Sequence, residues 1–248
     1  MVALKLWLDT RFRFLIGLIV MILLALLIVY LQYKVTGAQN TLAHAQISAE
    51  TKAQVLNIFG DYGKYVDTTW YESNGGTAIA ILAIILALGG PLAERNSVHL
   101  TLSLPVRRSS WLVAQAVLTM GLSVVMLLVS TAVLLAVGAL MGHAYPPGQA
   151  ALNALLCAVP TMAWIGLTLA LGSYVLDKAK TALIVIPAKF LSPFLFTLPA
   201  LKHWDMARLG RPLSMYPIIA WQQPLLLLFV CAVGGVAMAA HRYGQLDY

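Results

Sequence analysis

The sequence predicts an all-α integral membrane protein with six membrane-spanning helices. Of its 248 residues, 60% are hydrophobic and only 10% are charged, whereas a soluble domain carries about 25% charged residues. The apolar residues lie in long runs separated by short polar segments, and a helix needs roughly 20 apolar residues to cross a bilayer. A chain of this composition cannot keep its surface in water, so a lipid bilayer is its expected environment.

The basic excess indicates membrane topology rather than nucleic-acid binding. The formal net charge is +7, and Lys and Arg collect in cytoplasmic loops and beside anionic headgroups. The two cysteines, Cys157 and Cys231, lie inside apolar runs and form no closely spaced ligand set. We therefore expect neither a disulfide framework nor a metal site.

The N-terminal region predicts a surface helix followed by the first span. Residues 1–13 alternate apolar and basic side chains, with Trp7 at headgroup level, as in an amphipathic helix on the cytoplasmic face. Residues 14–31 form an apolar run of roughly 27 Å as a helix. This run is longer than a typical signal-peptide core and no small-residue cleavage site follows it, so we expect a retained span.

Residues 32–74 are predicted to form an extracytoplasmic loop, because they are polar and nearly balanced in charge. Within the loop, apolar residues at helical spacing predict a short amphipathic helix resting on the spans; they are Leu42, Ala45, Ala49, Ala53 and Leu56. Trp70 and Tyr71 return the chain to the interface. The second span is predicted over 75–91, which ends in Gly-Gly-Pro.

The remaining spans are predicted over 111–141, 149–176, 182–201 and 217–240. The third is long enough, at roughly 46 Å as a helix, that it must tilt or project from the bilayer. Too little chain lies outside the membrane for a second folded domain, so residues 1–248 are expected to form a single domain.

Six spans place both termini on one side, and the distribution of basic residues favours the cytoplasm. With that orientation the nine cytoplasmic cations are Lys5, Arg11, Arg13, Arg95, Arg107, Arg108, Lys178, Lys180 and Arg242. The six outer ones are Lys34, Lys52, Lys64, Lys202, Arg208 and Arg211. The last three are discordant, and four prolines near them indicate a broken or surface-lying helix before the sixth span; they are Pro199, Pro212, Pro217 and Pro224.

The connection over 92–110 holds a compact polar and basic segment between two apolar runs. Pro105 is suited to a first helical turn. Arg107 and Arg108 follow it, although cations at a helix N-terminus are disfavoured by roughly 0.3–1 kcal/mol each. Two roles explain them: inside-positive topology with headgroup contact, or docking of an acidic or grooved cytoplasmic partner.

This connection and the spans beside it resemble the corresponding part of the membrane subunit of type-2 ABC transporters. The second span ends in a Glu-Arg pair, and Leu-x-Leu-Pro-Val-Arg-Arg and a long third span follow. The matching positions are Glu94, Arg95, Leu102, Leu104, Pro105, Val106 and Arg107. The sequence departs from the family at 96–99, where members often have a glycine-threonine pair.

The resemblance implies a permease in the bacterial inner membrane, an exporter by the usual direction of the family. The matching residues, together with Arg108, would form a coupling helix that docks on a separate ABC ATPase subunit. ATP and Mg²⁺ would be bound by that partner, since no GxxxxGK[ST] motif occurs here, and this chain would be neither an enzyme nor a cofactor carrier. A second copy or a related chain would complete the pathway.

Four polar residues within spans are candidates for a transport pathway. Gln115, Thr119 and Ser123 step by four along the third span and share one face. They either line a pathway or dimer seam, or pack helices together. Lys189 lies midway along the fifth span, where a charge costs about 2.5–3.5 kcal/mol on insertion scales. It is a functional residue, or it snorkels from a helix broken by flanking prolines.

Two rival functions remain open. A membrane-embedded enzyme acting on a lipid or lipid-linked substrate would cluster polar groups at one depth, such as Lys189, His203 and Asp205. A structural or immunity-type subunit would bind a partner without moving a substrate. His203 and Asp205 alone are too few to hold a metal ion and are expected at the surface.

Overall fold

The computed structural model describes residues 2–37, 60–89, 108–205, 208–209, 211 and 222–245. This part of the chain is helical, and it contains no β-strand. Four of its helical segments are long and apolar enough to cross a membrane, namely Lys5–Lys34, Ser110–Leu140, Pro147–Val175 and Gln222–Gly244. The predicted all-helical membrane class is confirmed to that extent, and the count of six spans stays a prediction.

The first helix, α1 (Val2–Gly37), is continuous, so no break separates the predicted surface helix from the predicted span, and the surface position of residues 1–13 stays a prediction. One stripe of buried side chains runs from Leu6 through Phe14 and Met21 to Ile28, at the spacing of a single helix face. Because the stripe extends almost to the N-terminus, residues 5–13 pack on the bundle in register with the span. At 1.5 Å per residue the helix is about 54 Å long.

Residues 62–74, the last 13 residues of the predicted loop, are helical. The short helix α2 (Tyr62–Val66), a π-helix π1 (Asp67–Asn74) and α3 (Gly75–Ala87) follow one another without a break. Tyr65 and Trp70 are buried and hydrogen-bond to Ile28 O of α1 (2.9 Å) and to Thr131 Oγ1 (3.2 Å). The aromatic rings thus bury their surface while their polar atoms stay satisfied, which explains why so polar a sequence enters the core.

The long helix α4 (Arg108–Leu140) closely matches the predicted third span. It packs along α1 and α3. Gly138 allows one close approach, because a Cβ there would lie within 3 Å of the Tyr62 Oη and Cζ atoms. At this end α4 therefore packs closely against α2.

The predicted fourth span consists of two helices, α5 (Pro147–Ala158) and α6 (Thr161–Val175). Pro160 separates them because it has no N–H to donate to the carbonyl of Leu156. The Val159 N–H donates to that carbonyl instead, at 3.1 Å. The junction thereby keeps its backbone satisfied while changing the helical register.

The predicted fifth span is α7 (Lys178–Leu195), which ends earlier than expected and runs through both of its prolines. Asp177 caps its N-terminus by accepting from the Ala179 and Lys180 N–H groups. The interpretation that Pro187 and Pro193 break this helix is wrong. A 3₁₀ turn, Lys202–Trp204, follows.

The last helical segment comprises α8 (Gln222–Phe229), a π-helical turn π2 (Val230–Gly234) and α9 (Gly235–Gly244). It crosses α6 at very short range. A Cβ on Gly166 would lie 2.3 Å from Cys231 O and 2.7 Å from Ala232 O, and one on Gly235 would lie 2.5 Å from the Gly166 carbonyl carbon. Only glycine at both positions permits this crossing.

Several predictions concern residues outside the described ranges. The amphipathic helix predicted over 42–56 belongs here, as do Pro212 and Pro217. So does most of the predicted coupling segment, with Glu94, Arg95, Leu102, Leu104, Pro105, Val106 and Arg107. Arg108 is described as the first residue of α4.

Candidate functional site

A cavity of about 640 Å³ opens between α3, the α5–α6 junction, α7 and the segment that follows α7. This volume lies within the range of roughly 300–1,000 Å³ that is usual for small-molecule sites. Six charged side chains line it: Glu72, Lys189, Lys202, Asp205, Arg208 and Arg211. Four are basic and two are acidic, so the described lining carries a formal charge of +2.

Two ion pairs account for both acidic groups. Arg211 Nε lies 3.1 Å from Glu72 Oε1, which joins the segment after α7 to π1. Arg208 Nε lies 3.8 Å from Asp205 Oδ2, and both of these side chains are largely buried. Lys189 and Lys202 form no ion pair within 4.0 Å among the described residues, so they supply the surplus positive charge.

Part of the lining is apolar and aromatic. Trp164, Phe196, Pro160 and Ala80 contribute to it. The Lys189 ammonium lies 5.8 Å from the centre of the Trp164 ring, within the distance of a cation–π contact. The lining therefore includes both charged and apolar side chains, and Lys189 lies close to one of the aromatic rings.

The position of Lys189 depends on a local repair of the α7 backbone. Pro193 cannot donate to the carbonyl four residues earlier, which is that of Lys189. The Ser192 hydroxyl donates to this carbonyl at 2.8 Å. The helix therefore continues past Lys189 and presents its side chain to the cavity.

The π-helix π1 also contributes to the wall of the cavity. Its residues Tyr71 and Glu72 line the cavity, and Tyr71 Oη donates to Ala150 O at 3.0 Å. π-Helical turns occur frequently at functional sites. Here the turn orients Tyr71 toward α5 and leaves the neighbouring Glu72 facing Arg211.

A second polar cluster fixes the turn between α4 and α5 to π1. Asp67 Oδ1 accepts hydrogen bonds from Tyr145 Oη (2.5 Å) and Asn153 Nδ2 (3.2 Å). Burial raises the pKa of the Asp67 carboxyl, and these two hydrogen bonds oppose the rise. Burial of the phenol, and then the same carboxylate, raise the pKa of Tyr145.

The predicted pathway residues of α4 lie elsewhere. Gln115, Thr119 and Ser123 are all buried and do not line the cavity. Gln115 Nε2 donates to Leu86 O of α3 (3.1 Å), and Ser123 Oγ donates to Thr119 O (2.8 Å). The first bond joins α4 to α3 and the second lies within α4, and the pathway role of this face stays a prediction.

The rival prediction of a Lys189, His203 and Asp205 cluster is met by two of its three members. Lys189 and Asp205 both line the cavity and interact electrostatically. His203 is exposed and does not line it. The described residues contain no group of three or more potential metal ligands.

Sequence reasoning missed Glu72, Arg208 and Arg211 as parts of one site. The available signal was the group of cations before the sixth span, which conflicts with the inside-positive distribution.

Comparisons with protein-family models, curated proteins and solved structures gave no match.

Proposed function

We propose that this chain is the permease subunit of an ATP-driven ABC transporter and acts as an exporter. The observation that carries the proposal is the segment from Glu94 to Arg108. It follows α3 in the sequence and leads into α4, which is 33 residues long. Its Leu-x-Leu-Pro-Val-Arg-Arg sequence matches the coupling region of type-2 permeases. The all-helical body with four apolar, membrane-length helices is compatible with this assignment.

In this proposal the chain performs no covalent chemistry. A separate ATPase subunit binds ATP and Mg²⁺, and its closure moves the coupling segment and the adjoining N-terminus of α4. Two copies of the permease, or two related chains, alternate between inward-open and outward-open states. The partner biases that equilibrium because it binds the two states with different affinity. Six spans with both termini in the cytoplasm place the coupling segment on the side of the ATPase.

Co-purification tests the docking step. The full-length, affinity-tagged chain is isolated from its native host in a mild neutral detergent, and the retained proteins are identified by mass spectrometry. An ABC ATPase subunit is expected with the wild type. Arg107→Glu together with Arg108→Glu should reduce its recovery by tenfold or more, because two charge-assisted contacts of about 1.5–3 kcal/mol each are reversed.

The matched control is Lys178→Glu with Lys180→Glu, which makes the same change of charge on the other short connection predicted to be cytoplasmic. This variant should retain the ATPase. Equal losses in the two variants, or a wild type that retains no ATPase, would contradict the proposal.

A membrane-embedded enzyme is the second candidate, because Lys189 and Asp205 share the cavity. It predicts turnover of a lipid or lipid-linked substrate by the purified chain without any partner. Loss of that turnover in both Lys189→Met and Asp205→Asn, with melting temperatures unchanged, would favour the enzyme over the permease.

A further inference from the structure

The charge of the cavity selects the sign of its ligand. The ion pairs Glu72–Arg211 and Asp205–Arg208 neutralise both acidic groups. Lys189 and Lys202 remain as two cations on the same lining. A cationic ligand would face this surplus charge without an acidic partner of its own, whereas an anion would compensate it. The two arginines add guanidinium groups, which match the geometry of phosphate and carboxylate oxygens.

The apolar part of the lining selects a second property. Trp164 and Phe196 offer aromatic surface beside the charged groups. Lys189 has its ammonium above the Trp164 ring, so a group bound by this lysine lies next to apolar surface. A small hydrated anion would leave that surface uncovered, while a ligand with a hydrocarbon portion would bury it, which is favourable.

We propose that the cavity binds an anionic amphiphile, with its oxyanion beside Lys189 and Lys202 and its apolar portion against Trp164 and Phe196. The oxyanion comes from the headgroup of a membrane lipid or from a phosphorylated amphiphile free in solution. The binding is a property of this chain alone. That the ligand is also the transported cargo rests on the permease function proposed above.

Native mass spectrometry of the full-length chain in a neutral detergent measures this binding directly. The probes are phosphatidylglycerol, dodecyl phosphate, phosphatidylcholine and inorganic phosphate, each titrated separately. Retention of phosphatidylglycerol identifies a membrane lipid as the source of the oxyanion. Retention of dodecyl phosphate without phosphatidylglycerol identifies a soluble amphiphile. Phosphatidylcholine, which has no net charge, should bind at least tenfold more weakly than the better anionic probe.

The decisive variant combines Lys189→Met with Lys202→Gln, which removes both surplus cations. We expect its affinity for the better anionic probe to fall by tenfold or more. The matched control, Lys34→Gln with Lys180→Gln, also removes two charges but lies away from the cavity, and it should bind as the wild type does. Lys189→Arg keeps the charge and should retain binding, which separates the loss of a ligand contact from misfolding.

Three results would overturn the proposal: equal losses in the decisive and control variants, equal retention of phosphatidylcholine and the anionic lipid, or binding of inorganic phosphate alone. None of these measurements uses an ATPase. Loss of the ATPase contact with lipid binding intact would refute the permease and leave the site standing. The opposite pattern would refute the site and leave the permease.

Discussion

The crossing of α6 with the last helical segment makes a sharp prediction about Gly166→Ala. The added Cβ would lie 2.3 Å from Cys231 O and 2.7 Å from Ala232 O. Both obstructing atoms belong to the backbone, so no side-chain rotation relieves the overlap. An ordinary contact begins near 3.4 Å, and the two helices would have to separate by about 1 Å.

The expected cost follows from this geometry. Overpacking a well-packed core costs about 1–3 kcal/mol, and a clash between backbones belongs at the upper end. Replacing glycine by alanine inside a helix returns about 0.8–1 kcal/mol. The net loss is therefore about 2 kcal/mol, or a melting temperature lowered by roughly 4–8 °C for a chain of this size.

Thermal unfolding followed by intrinsic tryptophan fluorescence in a neutral detergent measures the effect. Gly121→Ala is the matched control, because a Cβ at this position of α4 meets no atom within 4 Å. It should melt at or above the wild-type temperature. Gly235→Ala, on the other side of the crossing, should behave like Gly166→Ala. A Gly166→Ala variant that melts within about 2 °C of Gly121→Ala would refute the close crossing.

Two further predictions concern polar groups. Because burial raises the pKa of Asp67, the folded state binds the carboxyl proton of this residue more tightly than the unfolded chain does. The contribution of Asp67 to stability is then greatest below the ordinary carboxyl pKa of 3.8 and is lost as the pH rises through the raised value. Asp67→Asn should flatten the dependence of melting temperature on pH, and an unchanged slope would contradict this. Ser192→Ala removes the hydrogen bond to the partly buried Lys189 carbonyl and should cost about 0.5–1.5 kcal/mol in the same melting assay, whereas Ser192→Thr, which keeps the hydroxyl, should melt near the wild type.

Hydropathy alone was enough to predict the long apolar helices. The expected third span, 111–141, lies close to the observed Arg108–Leu140, since an uninterrupted apolar run leaves the backbone no alternative to helix in a membrane. The helix from Tyr62 to Asn74 was missed because its residues are polar in composition. Its partners lie far away in sequence, as the bond from Tyr71 to Ala150 illustrates, and a local pattern contains no record of them.

The cavity was predicted only in fragments. Lys189 was identified because a charge inside an apolar run is costly, and the cations after α7 were identified because they conflict with the inside-positive pattern. What joins them is tertiary: the pairing of Glu72 with Arg211 brings together residues of two distant elements. The expectation that proline would break α7 failed because the Ser192 hydroxyl replaces the missing donor.

Cys157 lines the cavity and is only 3% exposed, and its Sγ would lie 3.3 Å from a Cβ added to Gly76. Its thiol is therefore largely shielded by the packing around it. In a chain whose other cysteine, Cys231, has been replaced by serine, the rate of alkylation by a maleimide should report how often this packing opens. The native thiol can therefore report local opening of the structure without an engineered label.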